Sequence, residues 1–185
     1  MADDVTAEDW VTLGVALLQR EGPASLDVAQ LCARLGCEIA DFHSHFAEKG
    51  TFALAIARHW AEQAEAAARE ARRGKKPSER LLAMLALSVE ADVGLERGVR
   101  ALAADHEPVS ALVRAADDRH ELILTTDLAA VYGLEGEEAQ EFGRALHALH
   151  VAAMSRPAEE AKTWAAGPAR AITALLGSNF PTEQG

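Results

Sequence analysis

Several residue types are scarce in this chain of 185 residues, and each scarcity argues against a class of structure. Aromatic residues make up 5% of the sequence, whereas strands draw on aromatic and β-branched side chains, so the composition favours packed helices over sheets. No apolar run is long enough to cross a bilayer. The acidic start, MADDVTAEDW, resembles neither a secretory signal nor a transit peptide. We therefore expect a cytoplasmic protein with no membrane partner.

Cysteine and positively charged residues are also few. The two cysteines, Cys32 and Cys37, are too few for a disulfide framework or a four-ligand zinc site, so we expect buried free thiols. The 18 Lys and Arg residues face 29 Asp and Glu residues, which gives a net charge of −11. Nucleic-acid binding depends on Lys and Arg, so this total does not favour it, although the distribution of charge matters more.

The spacing of apolar residues predicts an all-α protein that begins with three helices. The first is expected over 7–20. Asp27 is the expected N-cap of a short second helix, and Gly36 supplies the turn after it. A third short helix follows, with its apolar positions at Ile39, Phe42 and Phe46. Two short helices joined by a tight turn and braced by a preceding helix form the helix-turn-helix pattern.

The rest of the chain has the same helical spacing. Gly74 and Pro77 interrupt it, and Pro77 or Ser78 is expected to open the helix after the break. The predicted helices lie at 51–73, 81–93, 95–104, 109–131, 136–156 and 158–176.

The sequence gives weaker support for metal binding or catalysis. His147 and His150 lie three apart on one predicted helix, with His106 and His120 upstream, but the spacing singles out no further ligand for a metal ion. We expect packed or surface histidines and neither a metal nor a cofactor.

No nucleophile elbow, phosphate loop or zinc-protease motif is present, so we do not expect an enzyme. The basic cluster is expected to be a solvated helix end; it comprises Arg69, Arg72, Arg73, Lys75, Lys76 and Arg80.

The segment GPASLDVAQLCARLGCEIADFHSHF and the following AEKGTFALAIARHW resemble the DNA-binding segment of the TetR family. Further along, ERGVRALAADHEPVSALVRAADDRHELI and AAVYGLEGEEAQEFGRALHAL resemble the helices that form that family's ligand pocket and dimer bundle. The resemblance covers nearly the whole chain. It implies a three-helix helix-turn-helix domain over 1–50 and a helical ligand-binding and dimerisation domain over 51–185.

The resemblance also implies roles for individual residues. His45 and Lys49 match the family pattern at positions that contact DNA phosphates. His43 stands where the family usually has a tyrosine that touches the DNA backbone, and Ser44 beside it could reach a base edge or a phosphate.

Three acidic residues depart from the family pattern. Asp27 stands where the family tends to have Ser or Thr; it can cap the helix but cannot donate to a phosphate. Glu38 and Asp41 open the recognition helix, where exposed backbone N–H groups would otherwise receive a phosphate. Residues 1–55 contain nine acidic and three basic residues, a net charge of −6. This leaves little counterion-release energy for DNA binding.

The resemblance further implies a homodimer with an apolar ligand pocket. Candidate dimer contacts are Leu112, Leu122, Leu146 and Leu149. Candidate pocket residues are Trp60, Met84, His106 and Trp164, although core packing is an alternative role for each.

Two functions follow as hypotheses. The first is a ligand-responsive, homodimeric transcriptional regulator that binds operator DNA and an unidentified small apolar ligand. The alternative is a protein of this fold that has lost DNA binding and acts through another protein or a ligand alone.

Overall fold

The computed structural model describes residues 5–179, apart from the side chains at positions 158, 173 and 175–179. Within that range the chain forms nine α-helices and one short 3-10 helix, Pro23–Ser25, with no strand. The all-α prediction is therefore confirmed. In chain order the helices are α1 Ala7–Glu21, α2 Val28–Leu35, α3 Ile39–His45, α4 Lys49–Arg72, α5 Pro77–Glu90, α6 Val93–Asp105, α7 Glu107–Tyr132, α8 Gly136–Met154 and α9 Ala158–Asn179.

The described chain divides into two compact units that are each discontinuous in sequence. The first contains residues 5–64 and 92–115, and the second contains residues 65–91 and 116–179. The long helices α4 and α7 each contribute to both units. This division is based on contacts within the folded chain. The boundary expected after residue 50 instead separates a DNA-binding part from a ligand-binding and dimerisation part, and it stays a prediction.

The first unit is built around aromatic side chains. Phe42 of α3 is fully buried, with ring centres 5.3 Å from Trp10 and 5.5 Å from Phe52, both in edge-to-face geometry. Phe46 packs against Phe42 and Phe52 at 5.4 and 5.0 Å. Because edge-to-face aromatic pairs add to the free energy of area burial, this cluster holds α1 and α3 against the start of α4.

The second unit has an aliphatic core. Helix α5 packs along α9, and α8 also packs against α9. The core residues from α5 and α7 are Leu81, Met84, Leu85, Leu124 and Leu128, and α9 adds Ile172. Leu146 of α8 packs against this core while remaining half-buried.

Two predictions about individual residues were wrong. Val93 begins α6 rather than ending α5, because the Asp92 carboxylate accepts a hydrogen bond from the backbone N–H of Leu95 at 2.8 Å and caps a new helix there. The other concerns the cysteines. Both thiols are free, but only Cys32 is buried, whereas Cys37 is half-buried.

Candidate nucleic-acid interface

The helix-turn-helix segment is held by local capping. The Asp27 carboxylate accepts hydrogen bonds from the backbone N–H groups of Ala29 and Gln30 at 3.1 and 3.2 Å, which confirms the predicted cap of α2. Gly36 ends α2 with φ +70°, a left-handed conformation that glycine adopts without a Cβ penalty. The turn and both short helices therefore follow from residues within the segment itself.

The start of α3 is closed by its own acidic residues. The backbone N–H of Glu38 donates to the Asp41 carboxylate at 2.7 Å, and the backbone N–H of Asp41 donates to the carbonyl oxygen of Glu38 at 3.0 Å. The Asp41 side chain thus satisfies the N–H group of the capping residue, which would otherwise lack a partner within the helix. Both residues also place their carboxylates at the helix end where a DNA phosphate would otherwise bind.

The four predicted DNA-contacting residues all lie on the exposed surface of this segment: His43, Ser44, His45 and Lys49. His43 packs edge-to-face on the ring of Phe42, and the other three have hydrogen-bond or ion-pair partners within the chain. Nε2 of His45 is 2.8 Å from the carbonyl oxygen of Val5, and the Ser44 hydroxyl donates to the carbonyl of Asp41 at 2.6 Å. Nζ of Lys49 is 3.6 Å from the Asp27 carboxylate.

Ile39 is a candidate that the sequence did not identify. It is the first residue of α3, and its side chain is half exposed, next to the exposed Ala40. An apolar side chain at the start of a recognition helix can contact the methyl group of thymine. Because apolar periodicity assigns such a residue to the core, only its position in the folded segment reveals it.

The predicted pocket residues are divided between the two units. In the first unit, Trp60 is buried and its indole N–H donates to Glu96 at 2.8 Å, while the half-buried His106 follows the end of α6. In the second unit, Met84 belongs to the aliphatic core. Trp164 is 45% exposed, with the guanidinium of Arg156 3.6 Å from its ring centre.

The predicted dimer contacts also differ in exposure. Leu122 on α7 and Leu149 on α8 are exposed, and Phe142 on α8 is a further exposed apolar residue that was not predicted. Leu112 and Leu146 are half-buried.

Three of the four histidines considered for a metal site come together in the second unit. The ring centre of His120 is 5.2 Å from that of His147 and 5.3 Å from that of His150. Nε2 of His147 lies 3.3 Å from the Asp117 carboxylate. Among the described residues, however, no group of three or more His, Cys, Asp or Glu side chains is arranged to hold a metal ion. Nor does any helix in the described part of the chain have the length and apolar character needed to span a membrane.

The sequence matches no family model and none of the curated proteins compared with it. Solved structures do match it. A transcriptional regulator from Saccharomonospora viridis, solved in complex with choline, has a TM-score of 0.77 at 16% identity over 94% of this chain and 96% of that one. A TetR regulator from Haloarcula marismortui has a TM-score of 0.75 at 18% identity over 91% and 96%.

A TetR-family regulator from Agrobacterium tumefaciens is similar at a TM-score of 0.71 and 23% identity, covering 91% of this chain and 96% of that one. These likenesses extend over nearly the full length of both partners in each comparison. The chain therefore has the fold of the TetR-type transcriptional regulators, as its sequence resemblance implied.

Proposed function

We propose that this protein is a homodimeric, ligand-responsive transcriptional regulator of the TetR type, acting in the cytoplasm without catalytic activity. The observation that carries the proposal is the complete helix-turn-helix segment, in which α3 presents Ile39, His43 and Ser44 on its exposed surface. These residues can read base edges and the DNA backbone. The neighbours of this fold that are described as transcriptional regulators support the same role.

The contact between Lys49 and Asp27 is compatible with DNA binding. Both side chains are about half exposed or more, and an exposed ion pair contributes only about 0–1 kcal/mol. The Lys49 ammonium can therefore exchange its carboxylate for a DNA phosphate at little cost. Because the segment has few other cations, we expect operator binding with a shallow salt dependence.

The test is binding of the purified protein to labelled DNA from its own upstream region, followed by fluorescence anisotropy from low to physiological salt. The variant Lys49→Ala should weaken binding and lower the slope of affinity against salt by about 1, because one phosphate contact is lost. Lys162→Ala, an exposed lysine of α9, is the matched control and should leave both quantities unchanged.

Saturable binding that prefers the upstream DNA over a scrambled duplex supports the regulator. Absence of binding even at low salt contradicts it. That result would point to the alternative, in which the acidic α3 surface engages another protein.

The exposed apolar residues of α7 and α8 support the homodimer. Leu122, Phe142 and Leu149 are 64%, 51% and 43% exposed, and apolar side chains on two adjacent helices can be buried by the same surface of a second copy. Leu122→Glu combined with Phe142→Glu should convert the dimer to a monomer in light scattering after gel filtration. Thr163→Glu, at an exposed position of α9, should not. A wild-type protein that is monomeric at high concentration contradicts this part of the proposal.

Ligand response is proposed through α4, which runs without interruption from the helix-turn-helix segment to Arg72. A small apolar ligand that favours one position of α4 would shift the population of DNA-binding dimers. Trp60, Met84, His106 and Trp164 remain the candidate contacts. Ligands that raise the melting temperature should also change operator affinity. If every stabilising ligand leaves that affinity unchanged, the protein is not ligand-responsive in this way.

A further inference from the structure

The positive charge of this acidic protein is concentrated at one place in the second unit. Six of its 18 Lys and Arg residues fall within residues 69–80, at the end of α4 and the start of α5. Four of them line one open pocket with a volume of about 360 Å³, which we call the arginine pocket: Arg69, Arg72, Arg73 and Arg80.

Two of these arginines are positioned by a buried carboxylate. Arg72 donates from Nε and Nη2 to the two oxygens of Asp127 at 3.1 and 3.2 Å, and Arg80 donates from Nε to Oδ1 at 2.8 Å. Asp127 is fully buried, whereas the side chains of the two arginines are about one quarter exposed. One carboxylate thus orients two cations, which leaves an excess positive charge in a partly buried site where salt screens it weakly.

The other two arginines are held loosely. Arg69 pairs with Glu65 at 3.1 Å within α4, and Arg73, just beyond the end of α4, pairs with Glu70 at 3.0 Å. Both arginine side chains are mostly exposed, and such surface pairs contribute about 0–1 kcal/mol. They can therefore turn towards a stronger anion without a large loss of stability.

Helix electrostatics explains only part of this arrangement. Basic residues in the last turn of α4 are stabilised by the helix dipole. Arg80, however, lies in the first turn of α5, where a positive charge is disfavoured by the dipole of that helix. The bond to Asp127 offsets this cost and brings Arg80 to the same cavity as Arg69 and Arg72 of α4 and Arg73 just beyond its end.

We propose that the arginine pocket binds a compact, multiply charged phosphate anion, either inorganic pyrophosphate or the diphosphate group of a nucleotide. Guanidinium forks match phosphate oxygens in a bidentate geometry. The volume lies at the lower end of the range for small-ligand sites. All four lining residues are arginines, so the guanidinium groups are the charged groups that this pocket offers to an anion.

The test is isothermal titration of the full-length protein with pyrophosphate and with ADP, at constant ionic strength and without divalent cations. Arg69→Gln combined with Arg73→Gln should weaken binding of either probe about tenfold or more, because two charge-assisted contacts are lost. These exposed side chains can be replaced without disturbing Asp127. Arg58→Gln combined with Arg170→Gln, at exposed arginines outside the pocket, is the matched control and should bind like the wild type.

The outcomes separate the possible sources of the phosphate. Equal affinity for pyrophosphate and ADP supports recognition of a free diphosphate, and tighter binding of ADP supports a nucleotide. The proposal is overturned if sulfate binds as well as pyrophosphate at equal ionic strength, or if the pocket variant binds pyrophosphate like the wild type. It is also overturned if neither probe saturates at millimolar concentration.

Discussion

The indole N–H of Trp60 donates a 2.8 Å hydrogen bond to the carboxylate of Glu96, and both side chains are buried. Nε of Arg100 donates to the other carboxylate oxygen at 2.8 Å. The buried charge of Glu96 is therefore neutralised and hydrogen-bonded on both oxygens, as a buried carboxylate requires. The same contacts connect α4 with α6 inside the first unit.

Trp60→Phe should lower the free energy of unfolding by about 1–3 kcal/mol. The substitution removes the hydrogen-bond donor to a buried carboxylate oxygen and leaves space beside the smaller ring. Denaturant unfolding of wild type and variant measures the difference. Trp164→Phe, at an exposed tryptophan, is the control and should change stability by less than about 0.5 kcal/mol. Equal losses for both variants would contradict a specific role for the bond to Glu96.

Asp127→Asn should destabilise the protein by about 3–5 kcal/mol, because Arg72 and Arg80 lose the buried carboxylate that both of them contact. Asp118→Asn, an exposed aspartate on the same helix, provides the control and should have a small effect. Thermal and denaturant unfolding both report the change. If the two variants are equally stable, the ion pairs of Asp127 do not hold α4, α5 and α7 together in this unit.

Gly143→Ala should cost about 1–3 kcal/mol. A Cβ at this buried glycine of α8 would clash with the hydroxyl of Thr125 and lie 3.0 Å from the backbone nitrogen of the same residue, so α7 and α8 would have to separate. Gly50→Ala is the control, because its Cβ would meet its nearest neighbours at 3.5 Å. This variant should leave the free energy of unfolding unchanged or raise it by about 0.5–1 kcal/mol, because alanine has a higher helix propensity than glycine. A stable Gly143→Ala protein would exclude such close contact between the two helices.

Acid pH should destabilise the first turn of α1. The hydroxyl and the backbone N–H of Thr6 donate to the Asp9 carboxylate at 2.6 and 2.8 Å and hold the pKa of Asp9 below its ordinary value. A lowered pKa in the folded state means that the ionised carboxylate stabilises the protein at neutral pH, and that this contribution is lost as the pH falls through the folded pKa.

The stability of Asp9→Asn should therefore fall less steeply than that of the wild type below about pH 4. Glu8→Gln removes a charge from the same turn without touching the bonds to Thr6, and it should keep the wild-type steepness. Stability measured by denaturant from pH 2 to pH 7 distinguishes the three proteins. Parallel curves for Asp9→Asn and wild type would show that the bonds to Thr6 do not contribute.

Residues close together in the sequence were enough to predict the helix-turn-helix segment. Asp27 as a cap, Gly36 as a turn and Phe42 as a buried aromatic all agree with the structure. Ile39 lies in α3 as predicted, but its exposure was not predicted, because periodicity identifies apolar residues without showing which side of a short helix is covered. Val93 was misassigned because the predicted break between the two helices fell at Gly94, whereas the Asp92 cap starts α6 before that glycine.

The amino-acid sequence by itself determined the helices, the Asp27 cap and the resemblance to a TetR-type regulator, because helix signals act over a few residues. Only the tertiary structure decided which charged groups are buried and paired. Trp60 and Glu96 are 36 residues apart, and Arg72 and Arg80 lie 55 and 47 residues from Asp127. Nothing local marks Glu96 or Asp127 as buried, since a carboxylate leaves water only where folded helices bring its cations and hydrogen-bond donors within reach.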